Sequence, residues 1–330
     1  MRQHQVMRLS DFRHPKYWVT WIGLALLRLT LKLPDAPRRR VGRWLGRFFL
    51  ARNRKRWQIA KTNIEWCFPE LSTAAQQQLT TDYFASLGQA FCEFALIWWG
   101  DVERFSQAVE IEGGEWIAAR LAAGQPVMLL TGHLLALDIA GVALSRHYPL
   151  LTYANQLRNP IIDALLLKGR SRFSAKLLQR QTGVRALLRT LKQGRLLYYV
   201  IDEDLGTRQS HFAPFFGVAK ATLEAPARMA QLSGAVVAGC AAWFDVSRGR
   251  YRIVINAPLA GFPHGDAVVD AAQVNQLLEA AIRRAPAQYL WSQRLFHSRP
   301  DGAPPPYLMK GREGSGPSPR PEDYSLVNSG

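Results

Sequence analysis

A histidine and an aspartate five residues apart, His133 and Asp138, have the side chains in this sequence best suited to acid–base chemistry. The apolar run 126–131 precedes them and a helical pattern covers 134–147, so we expect His133 to lie in the loop that leaves a buried strand. A carboxylate bonded to one imidazole nitrogen fixes the tautomer and leaves the other nitrogen free to take a proton. Residues five apart do not share one face of a continuous helix. We therefore predict that His133 folds back over the helix start, to within ~3 Å of Asp138.

The loop around this pair permits a structural interpretation as well as a catalytic one. Gly132, directly before His133, lets the backbone turn tightly and leaves room for a substrate. In the structural interpretation, Asp138 is a carboxylate favoured by the dipole at a helix start, and the histidine beside it is incidental.

A second acidic group follows another strand-like run. Asp202, Glu203 and Asp204 end the run 196–204, and closely spaced carboxylates at a strand end can hold a divalent metal. The alternative function is therefore a metal-dependent glycosyltransferase that uses Asp202 and Asp204. The sequence has no CxxC pair, no GxSxG elbow and no GxxxxGKS loop, so we predict neither a bound metal nor a cofactor.

The remaining pattern alternates strands with helices, which favours an α/β domain with a mostly parallel central sheet flanked by helices. The predicted strands are 126–131, 149–155, 196–204, 235–244 and 251–259, and the predicted helices include 73–99, 134–147, 184–194, 223–234 and 269–286.

Positive charge dominates the chain, with 42 Lys and Arg against 25 Asp and Glu, a net charge of +17. Such an excess attracts nucleic acid, acidic lipid or an acidic protein. No helix-turn-helix, zinc finger or RNA-binding aromatic signature is present, so we expect no nucleic-acid partner. A basic membrane-binding protein without enzymatic activity is the other alternative. Two basic clusters carry the charge: Arg38, Arg39, Arg40, Arg43, Arg47, Arg52, Arg54, Lys55, Arg56 and Lys61, then Arg158, Lys168, Arg170, Arg172, Lys176, Arg180, Arg185, Arg189, Lys192 and Arg195.

Apolar residues between Tyr17 and Leu33 form a short segment that Arg28 and Lys32 interrupt. Such a segment can span a bilayer with a tilt or lie along its surface, and the basic run after it places the protein on the cytoplasmic side. We predict four regions: a membrane anchor helix (1–34), a basic helical region (35–104), an α/β catalytic domain (105–299) and a disordered tail (300–330).

Several separated stretches together resemble the bacterial lipid A late acyltransferases, in particular the branch that acts as Kdo-lipid IVA lauroyltransferases, within the wider HxxxxD group of glycerolipid-type acyltransferases. They are FRHPKYW (12–18), TNIEWCFPELS (62–72), TGHLLALD (131–138), RNPIIDALLLKGRSRF (158–173), DEDLG (202–206), FAPFFG (212–217) and QYLWSQRLFHSRP (288–300).

The resemblance implies an enzyme on the cytoplasmic face of the bacterial inner membrane. Such enzymes move a fatty acyl group from acyl carrier protein to a hydroxyl of a Kdo-lipid IVA-type precursor. His133 and Asp138 fall on the catalytic pair of this family, although close relatives often carry Glu in place of Asp. Many relatives also have Arg where this chain has Asn155, so we transfer no role to Asn155. The predicted substrate-binding residues are Gly132, Arg158, Arg170, Arg172, Lys176 and Asp202.

Overall fold

The computed structural model describes residues 12–179 and 182–307. Its strands are β1 (Val109–Glu112), β2 (Val127–Thr131), β3 (Leu150–Ala154), β4 (Lys176–Gln179), β5 (Leu196–Val200), β6 (Ser210–Phe215), β7 (Val218–Leu223), β8 (Val236–Asp245) and β9 (Arg250–Ile255). Its α-helices are α1 (Trp18–Leu29), α2 (Asp35–Leu45), α3 (Arg54–Cys67), α4 (Thr73–Trp99), α5 (Val102–Gln107), α6 (Glu115–Ala122), α7 (Leu137–His147), α8 (Pro160–Arg170), α9 (Gly183–Leu191), α10 (Ala225–Ser233) and α11 (Ala267–Arg284).

A seven-stranded sheet in the order β1-β9-β8-β2-β5-β3-β4 organises the described part of the chain. All of its neighbouring strands run parallel except β8 and β9. Strands β6 and β7 form a separate antiparallel hairpin, which the sequence pattern did not predict. The prediction of a mostly parallel α/β sheet is confirmed.

Strand β2 lies in the middle of the sheet, and all five of its residues are buried. Met128 and Leu130 face a core shared with α3, α4 and α11, whereas Val127 and Leu129 face a core shared with α6 and α7. This alternation is the pleat of a strand covered on both faces. Helices α3 and α4, which lie in the predicted basic helical region 35–104, therefore contribute to the core of the sheet.

The structure describes part of each predicted end region. Helix α1 covers part of the predicted anchor 1–34, but among residues 12–179 and 182–307 we find no helix with both the length and the apolarity to cross a bilayer. Residues 1–11 and 308–330 lie outside the described part. Within the predicted disordered tail, the segment 300–307 packs on the domain, because buried Tyr307 donates a hydrogen bond to Asn63 at 2.7 Å.

Part of the first basic cluster is buried rather than exposed. The guanidinium groups of Arg38 and Arg39 both pair with the buried carboxylate of Glu93 on α4, at 3.1 and 3.2 Å. These two arginines therefore fasten α2 to α4, and they are not available to an anionic surface.

Candidate active site

The register between β2 and β5 brings His133 and Asp202 together. Thr131, the last residue of β2, is paired with Val200, the last residue of β5. His133 and Asp202 each follow two residues later, so both side chains emerge at the carboxyl edge of the sheet. This edge is where parallel α/β sheets bind their ligands.

Asp202 holds the imidazole of His133 in one orientation. The Nδ1 of His133 lies 2.7 Å from Oδ1 of Asp202, and the backbone N–H of His133 donates to Oδ2 at 2.7 Å. Because the ionised carboxylate can only accept, Nδ1 carries the proton in the neutral imidazole and Nε2 keeps its lone pair in that form. The Asp202 side chain is fully buried, whereas that of His133 is 27% exposed. A solvent-facing histidine backed by a buried carboxylate is the arrangement of a general base.

The segment after α11 completes the support of Asp202. The hydroxyl of Tyr289 donates to Oδ2 of Asp202 at 2.7 Å, and the side-chain amide of Gln293 donates to the same oxygen at 3.0 Å. Backbone bonds from Leu290 N to His133 O and from Leu135 N to Gln288 O fix the loop itself. Sequence reasoning assigned no role to Tyr289 or Gln293, although both lie in the stretch 288–300 that carries the family resemblance.

The paired charges shift both pKa values. Burial of His133 disfavours its charged form, but the charge and hydrogen bond of Asp202 outweigh that effect and raise the pKa of His133 to about 8. Burial would raise the pKa of Asp202, yet the charge of His133 and the hydrogen bonds around the carboxylate hold that pKa well below its ordinary value. Asp202 is therefore ionised throughout the range in which His133 titrates.

Asp138 does not make the contact that we predicted for it. It lies in the first turn of α7, where its Oδ1 accepts a hydrogen bond from Nε of Arg170 at 2.5 Å. The Nδ1 of His133 is bonded to Asp202 instead. The predicted ~3 Å approach of His133 to Asp138 is wrong, because a carboxylate from the neighbouring strand takes that position. Asp138 still acts on His133 at longer range, since its charge contributes to the raised pKa of the imidazole.

The structure separates several of the predicted substrate-binding residues. Gly132 is at the site, where an added Cβ would lie 2.4 Å from Leu278 and 3.0 Å from Asp202, so these side chains occupy the space beside it. Arg158 is exposed on the loop that leaves β3 at the same edge. Arg172 donates to the carbonyl groups of residues 97 and 100 at the end of α4. Lys176 begins β4, at the opposite edge of the sheet from His133.

Asp204 has structural partners of its own. Its carboxylate accepts hydrogen bonds from the backbone N–H and the hydroxyl of Ser298, at 2.6 and 2.7 Å, and from the N–H of Gly206 at 3.1 Å. In the described part of the chain, no group of three His, Cys, Asp or Glu side chains is arranged to hold a metal ion. The carboxylates of Asp202 and Asp204 thus fasten two different segments instead of converging on one point.

Comparison with known proteins agrees with this geometry. The family model of the bacterial lipid A biosynthesis acyltransferases matches residues 6–298. The chain belongs to this family. Its members are acyltransferases of lipid A biosynthesis.

Several members of the family from Escherichia coli K12 are similar over nearly their whole length. The chain is 31% identical to a lipid A biosynthesis lauroyltransferase over 295 residues, which are 89% of this chain and 96% of the relative. It is 30% identical to a palmitoleoyltransferase over 299 residues, 90% of this chain and 97% of the relative. It is 29% identical to a myristoyltransferase over 306 residues, 91% of this chain and 94% of the relative. These three relatives are named for different acyl groups.

Proposed function

We propose that this lipid A biosynthesis acyltransferase moves a fatty acyl chain from the thioester of acyl carrier protein to a hydroxyl of a Kdo-lipid IVA-type precursor. The observation that carries the proposal is the hydrogen-bonded pair of His133 and Asp202 at the carboxyl edge of the sheet. In its neutral form the imidazole of this pair has an unprotonated Nε2 that can accept a proton, and the buried carboxylate stabilises the charged form.

The transfer proceeds in one direct displacement without an acyl-enzyme. Nε2 of His133 takes the proton of the acceptor hydroxyl while the hydroxyl oxygen bonds to the thioester carbonyl carbon. The carbon–sulfur bond then breaks, and the proton on Nε2 passes to the departing thiolate. Asp202 stabilises the imidazolium that exists between these two proton transfers, because its carboxylate faces the protonated Nδ1.

The ion pair of Asp138 and Arg170 acts on the carbonyl oxygen of the thioester in the proposed mechanism. Asp138 engages Nε of Arg170 and leaves the terminal nitrogens of the guanidinium as donors. We propose that Arg170 stabilises the oxyanion that forms from the thioester carbonyl. In this mechanism, Asp138 positions Arg170, whereas Asp202 positions His133.

The exposed side chain of Arg158 supports acyl carrier protein as the donor and a phosphorylated lipid as the acceptor. Arg158 lies on a loop at the edge that carries His133, and its guanidinium suits either a phosphate of the lipid or a carboxylate of an acidic carrier protein. The glycosyltransferase alternative loses support, since Asp202 and Asp204 hold His133 and Ser298 respectively.

Mass spectrometry of lipid A tests the proposal in cells. We expect lipid A from cells without the gene to lack one acyl chain and the wild-type gene to restore it. In vitro, the purified full-length chain should acylate lipid IVA bearing Kdo from acyl carrier protein thioesters, and treatment with EDTA should leave that rate unchanged. An unaltered lipid A profile together with an inactive purified protein would reject this function.

We also propose that the protein acts at the cytoplasmic face of the inner membrane, with α1 lying along the bilayer surface. Four apolar residues of α1 recur at steps of three and four, and they are 83%, 61%, 61% and 54% exposed: Val19, Ile22, Leu26 and Leu29. An apolar stripe of this kind fits the boundary between headgroups and acyl chains. The hydroxyl of Thr20 accepts a hydrogen bond from Asn159 at 3.0 Å, which places α1 next to the loop of Arg158.

A second exposed apolar cluster covers the end of α2 and the residues after it. The ring of Trp44 lies 5.0 Å from that of Phe48 and 6.0 Å from that of Phe49, and all three side chains are exposed. Arg47 and Arg52 accompany these rings on the surface. Aromatic rings beside arginines are typical of protein surfaces that contact anionic lipid.

Replacing Val19, Ile22 and Leu26 by serine should weaken binding to vesicles that contain phosphatidylglycerol by at least about tenfold. The reason is that each apolar side chain contributes roughly 1.5–3 kcal/mol when it is fully buried. Co-sedimentation with vesicles measures the change. Val246→Ser is the control, because Val246 is 78% exposed in the β8–β9 turn. Equal binding by the triple variant and the wild type would contradict the role of α1.

A further inference from the structure

An exposed arginine, Arg294, lies directly beside the residues that hold the catalytic pair. It follows Gln293, whose side-chain amide donates to Asp202, and the N–H of Leu290 in the same segment bonds to the carbonyl of His133. Consecutive Cα atoms are about 3.8 Å apart, so Arg294 is next to the site although it takes no part in orienting the base. Within residues 12–179 and 182–307, no carboxylate forms an ion pair with Arg294.

The guanidinium of Arg294 is held over a ring that is itself fixed. Its central carbon lies 6.0 Å from the ring centroid of Tyr307. That ring is buried, and its hydroxyl donates to Asn63 at 2.7 Å and accepts from the backbone N–H of Phe296 at 2.9 Å. A guanidinium that already rests on a fixed ring loses less freedom when it binds a ligand.

Helix α3 brings a second exposed arginine, Arg56, to the same segment. The side-chain amide of Asn63 donates to the backbone carbonyl groups of Trp291 and Gln293, both at 2.7 Å, so this face of α3 packs on the segment before Arg294. Arg56 precedes Asn63 by seven residues, which is about two helical turns, and it therefore shares that face.

The hydroxyl of Tyr83 independently indicates the same position for Arg56. This hydroxyl donates to the side chain of Ser292 at 2.7 Å and accepts from the N–H of Ser292 at 3.2 Å. Burial raises the pKa of Tyr83, and the positive charge of Arg56 opposes that rise. Arg56 is thus within electrostatic range of a group bonded to Ser292, two residues before Arg294.

The first turn of α3 is basic, whereas a helix favours acidic residues at this end. Arg54, Lys55 and Arg56 are all exposed there, and the turn has no acidic residue. Cations at a helix N-terminus are unfavourable because the helix dipole is positive there. In the part of the chain that the structure describes, none of the three pairs with a carboxylate. A local choice that opposes folding, next to the active site, is typical of a site that binds a ligand of opposite charge.

The neighbouring surface indicates what kind of molecule carries this negative charge. Helix α3 begins shortly after the exposed aromatic cluster of Trp44, Phe48 and Phe49, which we proposed to contact lipid. The basic first turn of α3 therefore lies between the lipid-facing cluster and the catalytic edge. An anionic group bound there fits a molecule that lies in the bilayer surface better than a soluble carrier protein.

We infer that Arg56 and Arg294 bind a phosphate monoester of the lipid acceptor and thereby present its hydroxyl to His133. The inference rests on the proposed function and names the acceptor subsite of that reaction. A phosphate monoester carries about −1.5 to −2 charges near pH 7 and has three oxygens that accept hydrogen bonds. Two guanidinium groups from different segments match both the charge and the number of acceptors.

The test compares lipid IVA bearing Kdo with the same acceptor after removal of its phosphate groups. Both are dispersed in one detergent and acylated by the full chain from one acyl carrier protein thioester. We expect Arg56→Gln and Arg294→Gln each to lower kcat/KM for the phosphorylated acceptor by at least about tenfold, the usual value of a hydrogen bond to a charged group. The rate with the dephosphorylated acceptor should not change. Arg294→Lys should lose less, because it keeps the charge but not the planar fork.

Arg120→Gln is the matched control. It removes an exposed guanidinium near the end of α6, which leads into the start of β2 at the edge opposite His133, so both rates should stay at the wild-type level. Thermal unfolding separates binding from folding. Arg56→Gln takes a cation away from a helix start and should leave the unfolding temperature equal or higher while the rate falls.

Three results would decide against the inference or the function. An equal loss with both acceptors, or wild-type rates in both glutamine variants, would overturn the phosphate subsite and leave the proposed function intact. A change confined to the KM of the thioester donor would also overturn it, because the two arginines would then bind the carrier protein. A wild-type protein that acylates neither acceptor would instead reject the proposed function.

Discussion

We expect His133→Ala to lower kcat by at least about 10²–10⁴-fold, the usual contribution of a general base. The acceptor is a hydroxyl, which attacks a thioester slowly unless its proton is removed. Nε2 of His133 is the nitrogen that the bond between Nδ1 and Asp202 leaves available for that proton. The measurement is the initial rate with an acyl carrier protein thioester and the lipid acceptor, together with the thermal unfolding temperature.

A second His–Asp pair in the same chain provides the control for this prediction. Both the backbone N–H and Nδ1 of His264 bond to Oδ1 of Asp270, at 2.8 and 2.9 Å, so this histidine is held by one carboxylate as His133 is held by Asp202. His264 follows the segment in which Leu259 bonds to Val237 near the start of β8, so it lies at the opposite edge of the sheet. His264→Gln removes a similar set of interactions and should retain near-normal activity. If His133→Gln and His264→Gln lowered the rate equally, the loss would reflect folding and not proton transfer.

The sequence predicted the position of His133 well, because that position depends on local patterns. A buried apolar run, a glycine and a helical pattern place a histidine at a strand end whatever the rest of the chain does. The observed β2 and α7 lie within the predicted limits 126–131 and 134–147. The same local reasoning chose Asp138 as the partner, since it was the nearest carboxylate along the chain.

Asp202 was not predictable as the partner, because its role depends on strand order. Strands β3 and β4 and the helices α7, α8 and α9 lie between β2 and β5 in the sequence, yet β5 is next to β2 in the sheet. Once that adjacency is known, the pairing of Thr131 with Val200 places His133 and Asp202 side by side. Hydrophobic periodicity identifies strands but does not state which of them are neighbours.

For the basic clusters, too, the sequence did not show which arginines have structural partners. Counting arginines predicted an anionic partner for the whole run from Arg38 onward, but Arg38 and Arg39 are buried against Glu93. Arg172 likewise bonds to backbone carbonyl groups at the end of α4. Their partners lie more than 50 residues away in the sequence, so composition alone does not separate a structural arginine from one that meets a ligand.

Replacing Asp202 and replacing Asp138 should change the pH dependence of kcat/KM in clearly different ways. The base must be neutral to accept a proton, so the wild-type rate should rise with pH through about 8, the pKa of His133. Asp202→Asn removes the negative charge that favours the imidazolium. The acid limb should then move toward lower pH, and the rate should fall by about 10²–10⁴-fold, because an amide no longer fixes Nδ1–H as the protonated nitrogen.

Asp138→Asn is the matched comparison, since it makes the same chemical change on a carboxylate that holds Arg170 instead. We expect it to lower kcat through the loss of oxyanion stabilisation while the acid limb moves much less than in Asp202→Asn, because the charge of Asp138 contributes less to the raised pKa of His133. The different position of the acid limb in the two variants distinguishes a residue that sets the pKa of the base from one that positions an arginine. Impaired folding lowers the rate at every pH and does not produce this difference. If Asp138→Asn moved the limb and Asp202→Asn left it in place, Asp138 would be the acid that orients His133, and the assignment drawn from the hydrogen bonds would have to be reversed.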